Sequence, residues 1–197
     1  LGADMVVSSS TKYLGGHSDI VGGSIVIKEN KEYAEKISYI QNAVGAIPSP
    51  FDCYLLTRSI KTLSVRMKQH NENAIAVSNF LTNHSKINKV FFPGIDERYK
   101  EVAAKQMDGF GGMMSFILDT NIDGVKSFLK NLNIFTLAES LGGVESLIEH
   151  PAIMTHASID PAIREKLGIS DTLLRISVGI EDVEDLIADL DQALSKI

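Results

Sequence analysis

A lysine stands among hydroxyls in Ser9-Ser10-Thr11-Lys12, directly after the apolar run Met5-Val6-Val7. An ammonium at the end of a strand read as buried is costly without a partner. A lysine so placed gives up its proton more easily and can attack a carbonyl to form a Schiff base. On an extended backbone Ser9 and Thr11 project to one side, which suits a phosphate beside Lys12. The alternative is an ordinary turn with a solvated lysine, and the local pattern by itself favours it. A second charge interrupts a buried-looking strand in Leu174-Arg175-Ile176-Ser177-Val178. Arginine stays charged wherever it sits, so there it wants a bidentate anion such as a carboxylate. An edge-strand arginine facing water fits that pattern equally well. Glu139, in Ala138-Glu139-Ser140-Leu141-Gly142-Gly143, reads either as a site carboxylate or as a solvated strand end.

Other chemistries find little support. Gly15-Gly16-His17 lacks both the Gly-x-Gly-x-x-Gly and the Walker pattern. His17-Ser18-Asp19 holds the residue types of a hydrolytic triad, but consecutive residues do not converge on one point, and a tight connection is the better reading. The five histidines (17, 70, 84, 150 and 156) form no His-Glu-x-x-His pair, so no metal site is expected. Nineteen basic against 25 acidic residues give a net charge of −6, which argues against a general nucleic-acid binder. One cysteine, Cys53, excludes an intrachain disulfide framework. No apolar run reaches the ~18–20 residues of a membrane span. With 44 % hydrophobic residues in 197, the expectation is a soluble, cytoplasmic globular protein. The chain opens on Leu1 without Met and runs at once into a strand, which suggests the C-terminal part of a longer protein.

The elements that must position these residues follow from periodicity and punctuation. Residues 5–7 and 24–27 read as strands, with Gly22-Gly23 before the second, and 31–42 as a helix with Tyr33, Ile37 and Ile40 on one face. Ser49, Pro50 and Asp52 mark a strong helix start with a capping box. The helical pattern then runs from 51 to about 83, broken near His70, and a domain boundary is placed near residue 60. The units expected are 1–60 and 61–197. Beyond it, strands at 89–92, 113–118, 134–137 and 174–178 alternate with helices at 97–106, 123–132 and 161–167. The last helix begins near Glu181-Asp182 and buries Val183, Leu186, Ile187, Leu190 and Leu194. The class is α/β.

Five stretches then fall into one order along nearly the whole chain. They are Ser9-x-Thr-Lys-Tyr-Leu-Gly-Gly-His-Ser-Asp19, Gly45-Ala-Ile-Pro-Ser-Pro50, Leu137-Ala-Glu-Ser-Leu-Gly-Gly-Val-Glu-Ser146, His150-Pro-Ala-Ile-Met-Thr-His-Ala157 and Gly168-Ile-Ser-Asp-Thr-Leu-Leu-Arg-Ile-Ser-Val-Gly179. Together they resemble the Cys/Met-metabolism family of pyridoxal-phosphate enzymes, the trans-sulfuration group of fold type I. The resemblance implies the end of a cofactor-binding large domain (1–60) followed by a smaller C-terminal α/β domain (61–197).

By that resemblance Lys12 forms the Schiff base with pyridoxal 5'-phosphate and moves protons, while Ser9 and Thr11 hold the phosphate. Arg175 clamps the substrate's α-carboxylate, assisted by Ser140, and Thr155 lies near that clamp. Glu139 stands where methionine-cleaving members usually carry an apolar residue, so it suits the distal ammonium of cystathionine. The implied reaction is γ-elimination on cystathionine, giving cysteine, 2-oxobutyrate and ammonia. The alternatives are γ-replacement on an activated homoserine, or a non-catalytic oligomerisation domain. The family's N-terminal half, which supplies the ring-contacting residues, has no counterpart in this sequence. Activity is therefore expected to need that half and neighbouring subunits, with a homotetramer as the expected assembly.

Overall fold

In the computed structural model, which describes residues 2–197, the run around Val6 forms β1 (Met5–Ser9). It pairs antiparallel with β2 (Gly23–Ile27), with Met5 opposite Ile27 and Ser9 opposite Gly23. The strand is where the sequence puts it, but it is not buried: Val7 is 74 % and Val26 64 % exposed. A two-stranded ribbon buries little without a further layer. Helix α1 (Lys31–Val44) is capped by the Asn30 side chain, which accepts from Tyr33 N at 3.1 Å. Helix α2 (Pro50–Ile60) begins as expected, Ser49 Oγ accepting from Asp52 N at 3.1 Å with Pro50 in the first turn.

The helical break falls at Lys61-Thr62, not near His70. There Lys61 N donates to Arg58 O at 3.3 Å and Thr62 N to Ser59 O at 3.1 Å, a tighter turn that ends α2. Helix α3 (Leu63–Asn83) then passes unbroken through His70. The chain divides at this point into two compact units, one ending at Leu63 and the other Ser64–Ile197.

The second unit is built on a five-stranded sheet in the order β3-β4-β7-β6-β5. Its strands are β3 (Ile87–Phe91), β4 (Met113–Leu118), β5 (Thr136–Leu137), β6 (Leu147–Glu149) and β7 (Leu173–Ser177). All neighbours are antiparallel except β5 and β6. Strand β4 alternates, burying Met114, Phe116 and Leu118. Those residues share a core with Leu174 and Ile176 of β7, Ala74, Val77 and Leu81 of α3, and Val125 and Phe128 of α5 (Ile122–Asn131). Phe116 and Phe128 meet edge to face, centroids 6.2 Å apart. Helix α7 (Val183–Leu194), capped by Asp182, adds Leu186, Leu190 and Leu194. Each such side chain contributes roughly 1.5–3 kcal/mol by leaving water. The remaining helices are α4 (Lys100–Gln106) and α6 (Pro161–Lys166), the latter started by the Asp160 cap.

Two elements are shorter than the sequence pattern predicts, and polar side chains are the reason. Strand β5 begins at Thr136 because the amides of Asn133, Ile134 and Phe135 go to the Asp189 carboxylate, at 2.8, 2.8 and 3.1 Å, and not to a strand. Burial works against the Asp189 charge, but the amides of Ile134, Asn133 and Phe135 with the Gln192 side chain outweigh it and hold its pKa below the usual carboxylate range. Helix α4 begins three residues later than expected, since Asp96 Oδ1 takes the Arg98 amide at 3.0 Å and makes a local turn.

His70 and His150 are both fully buried. His70 Nδ1 donates to Val178 O at 2.7 Å, and His150 Nε2 to Asp171 O at 2.9 Å. Burial lowers both pKa values from 6.5. The unfolded chain therefore takes up protons near pH 6.5 while the folded chain stays neutral until lower pH. Stability is full above about pH 6.5 and falls as the pH drops toward the folded pKa values, by up to about 1.4 kcal/mol per histidine for each pH unit between the two. Urea unfolding midpoints at pH 7.5 and 5 should show this loss, and His70→Asn should reduce its slope. A midpoint independent of pH over that range would show the histidines to be uncoupled from folding.

Candidate active site

In the first unit, β1 runs straight into a five-residue helical turn, Ser10–Leu14, interrupted at Lys12 (φ −90°, ψ −133°). The backbone is thus not extended across Thr11, and the one-sided projection of Ser9 and Thr11 along a strand does not hold. The turn is closed by Gly15 N on Ser10 O (2.9 Å), Gly16 N on Lys12 O (2.7 Å) and Ser10 N on Gly22 O (2.9 Å). Thr11 Oγ1 accepts from Gly22 N at 2.9 Å, tying the turn to the start of β2. Two glycines allow this fold-back: a Cβ on Gly15 would stand 2.6 Å from Ser10 O, and one on Gly22 2.8 Å from Ser10 Oγ. Ser10 is buried, Ser9 exposed, and Thr11 and Lys12 half-buried. His17 Nδ1 lies 2.7 Å from Gly15 O and 3.4 Å from Ser59 Oγ of α2, which braces the turn from its far end.

The chemistry of this donor set fits an aldehyde bearing a phosphate. An amine sits within four consecutive residues that carry three hydroxyls, and glycines bring the backbone close. Lys12 would bond the aldehyde, with Ser9 and Thr11 at the phosphate.

In the second unit, Arg175 lies on β7 in register with Ser115 of β4 on one side and Glu149 of β6 on the other. Directly opposed residues of antiparallel strands share a face, so these three form a polar row across the sheet, opposite in parity to the core residues Leu174 and Ile176. Arg175 Nη2 donates to Glu139 O at 2.7 Å and Ser140 O at 3.2 Å, and pairs with Glu149 Oε2. The arginine side chain keeps 24 % exposure and the glutamate 1 %. The carboxylate that Arg175 called for is therefore already present inside the fold. Sequence reasoning missed it, although Glu149 interrupts the apolar pair Leu147-Ile148 as Arg175 interrupts its own strand.

Loop 138–146, which carries Glu139 and Ser140, is stitched to β7 and the residues after it. Gly142 N donates to Ser177 Oγ (2.8 Å), Gly179 N to Ser146 Oγ (2.8 Å) and Ile180 N to Val144 O (2.9 Å). Glu181 takes the Ser146 amide at 2.6 Å and its hydroxyl at 2.9 Å. The Glu139 carboxylate is exposed, and its backbone carbonyl is what touches Arg175. Thr155 Oγ1 donates to Glu149 Oε1, placing it one residue removed from the guanidinium. Among the described residues no helix is long and apolar enough to cross a membrane.

A hydroxyl-flanked amine after a strand is chemistry that suits a carbonyl cofactor, and, in the other unit, an arginine on a strand is chemistry that suits a carboxylate. The family comparison agrees: residues 1–195 match the Cys/Met metabolism PLP-dependent enzymes, and the chain belongs to that family. It is 54 % identical over 197 residues to a cystathionine gamma-lyase of Dictyostelium discoideum, covering 100 % of this chain and 51 % of that protein. It is 53 % identical over 195 residues to a cystathionine beta-lyase of Coxiella burnetii, covering 98 % and 50 %. Among solved structures, the cystathionine gamma synthase of Xanthomonas oryzae pv. oryzae in complex with cystathionine matches with TM-score 0.93 and 48 % identity, over 99 % of this chain and 50 % of that one. The chain spans about half the length of the curated relatives it matches. The expected α/β fold of this family is borne out.

Proposed function

We propose that this chain supplies the C-terminal half of a pyridoxal-phosphate-dependent carbon–sulfur lyase that cleaves cystathionine by γ-elimination to cysteine, 2-oxobutyrate and ammonia. The observation that carries the reading is the family match over residues 1–195 with Lys12 and Arg175 both in place. Residues 1–60 would close the cofactor domain and 61–197 form the smaller domain. The enzyme would be a cytoplasmic homotetramer completed by the N-terminal half that the relatives carry.

When bound, pyridoxal phosphate supplies the conjugated electron sink that makes protons next to the amino carbon removable. Lys12 Nζ acts as the general base for the Cα proton and then carries protons between carbon atoms, within the few ångströms such transfer requires. Ser9 and Thr11 anchor the phosphate by neutral hydrogen bonds. Arg175 holds the α-carboxylate by charge-assisted hydrogen bonding, with Ser140 beside it. Glu139, exposed at the edge of that loop, meets the distal ammonium of cystathionine.

The deciding experiment is a product assay on the complete enzyme. Cystathionine should give cysteine and 2-oxobutyrate. Homocysteine and pyruvate would instead mark cleavage on the other side of sulfur, as in the beta-lyase relatives, and net cystathionine formation from an activated homoserine plus cysteine would mark a synthase. This chain without the N-terminal half should be inactive, and mixing the two halves should restore turnover. Glu139→Val is expected to weaken cystathionine by about tenfold in kcat/KM while sparing uncharged thioethers, the difference being one charge-assisted contact. Equal losses on both substrate types would reject that role.

A further inference from the structure

Glu149 is a charged group paired with the clamp to which the chemistry above gives no task. An ionised carboxylate at 1 % exposure is costly unless paired, and an apolar side chain of similar size would fill the strand without that penalty. Its register places it directly across from Arg175. The guanidinium carries five N–H donors in a rigid plane. The contacts it makes, to Glu139 O, Ser140 O and Glu149 Oε2, all fall on Nη2. They occupy Nη2, which both two-donor edges of the plane share, and leave Nη1 and Nε as the donors for an anion from outside.

Glu149 is itself oriented. Thr155 Oγ1 donates to Glu149 Oε1, and His156 Nδ1 lies 2.8 Å from the same hydroxyl. The hydroxyl has one proton and it goes to the carboxylate, so the imidazole nitrogen is the donor in the second bond. The chain of bonds therefore runs from His156 through Thr155 and Glu149 to Arg175.

We propose that Glu149, held by Thr155, is a positioning residue for substrate recognition: it pins Arg175 by Nη2 so that Nη1 is presented to the α-carboxylate. This rests on the reading of Arg175 as the carboxylate clamp. Glu149 touches neither substrate nor cofactor and acts only through the arginine.

The test uses the complete enzyme with both halves and two amines, glycine and methylamine, which differ by the carboxylate. Their dissociation constants are read from the cofactor absorbance and by calorimetry. Glu149→Gln should weaken glycine by about 10- to 100-fold, the range for one hydrogen-bonded charge, and methylamine by less than about twofold. Thr155→Val should give the same selective loss to a smaller degree, and Thr155→Ser should retain wild-type affinity. Equal weakening of both amines would show a merely structural role and overturn the inference, as would unchanged glycine binding in both Glu149→Gln and Thr155→Val. Arg175→Lys separates the two readings. A selective glycine loss there with none in Glu149→Gln defeats the positioning role alone, whereas wild-type glycine binding in Arg175→Lys defeats the clamp and the inference together.

Discussion

Replacing Lys12 by Ala in the complete enzyme is expected to remove the visible absorbance of the lysine-bound cofactor and to lower kcat on cystathionine by about 10²–10⁴-fold from the lost general base alone. The fold should survive. The turn that carries Lys12 is closed by backbone groups of Ser10, Lys12, Gly15, Gly16 and Gly22 and by the Thr11 hydroxyl, all of which the truncation leaves in place. Lys12→Arg keeps the positive charge and much of the length but cannot give up its proton near neutrality, so it should be as inactive as the alanine variant. That pair of variants separates an amine that reacts from a cation that merely sits near a phosphate. If this chain were only an oligomerisation domain, both variants would leave turnover and absorbance unchanged, and that result would end the enzymatic reading. An intact absorbance band in Lys12→Ala would by itself remove Lys12 from the role.

What could be read from sequence was what local chemistry determines. The α2 start followed from Ser49 and Pro50, the α7 start from Asp182, and β4 from a six-residue stretch that is apolar but for Ser115. Lys12 and Arg175 stood out because each puts a charge where the neighbours are apolar or uncharged. The misreadings share a cause, which is that distant groups decided the outcome. Strand β6 has only three residues and no periodicity to betray it, and its existence depends on β7 lying beside it. The short β5 depends on Asp189, more than fifty positions away, capturing three amides. Thr11 does not lie along a strand because its hydroxyl closes on Gly22. Glu149 shows the same limit at the site: a lone glutamate after two apolar residues says little until the register sets it against Arg175. The faces of β1 and β2 make the reverse case, since their apolar residues announce burial and yet stand exposed.

Arg175→Ala is expected to raise KM for every amino-acid substrate by about 2–5 kcal/mol, some 30- to several-thousand-fold, with a smaller effect on kcat. The same variant carries a second effect that must be separated from the first. It strips Glu149 of its cation while leaving the carboxylate buried, and an orphaned buried charge destabilises a fold by about 3–5 kcal/mol. A simple loss of activity would therefore be ambiguous between a missing clamp and a damaged sheet. The double variant Arg175→Met, Glu149→Gln resolves it, because it removes both charges and keeps the volume of the row between Ser115 and β6. Its unfolding midpoint should recover most of the stability that Arg175→Ala loses, while its KM stays as high as in the single variant. Recovery of both would mean that Arg175 serves the sheet and not the substrate. Recovery of neither would mean that the row is held by something other than the Arg175–Glu149 pair. A carboxylate clamp built on a central strand, braced from the side by a neighbouring strand, predicts stability regained and binding still lost.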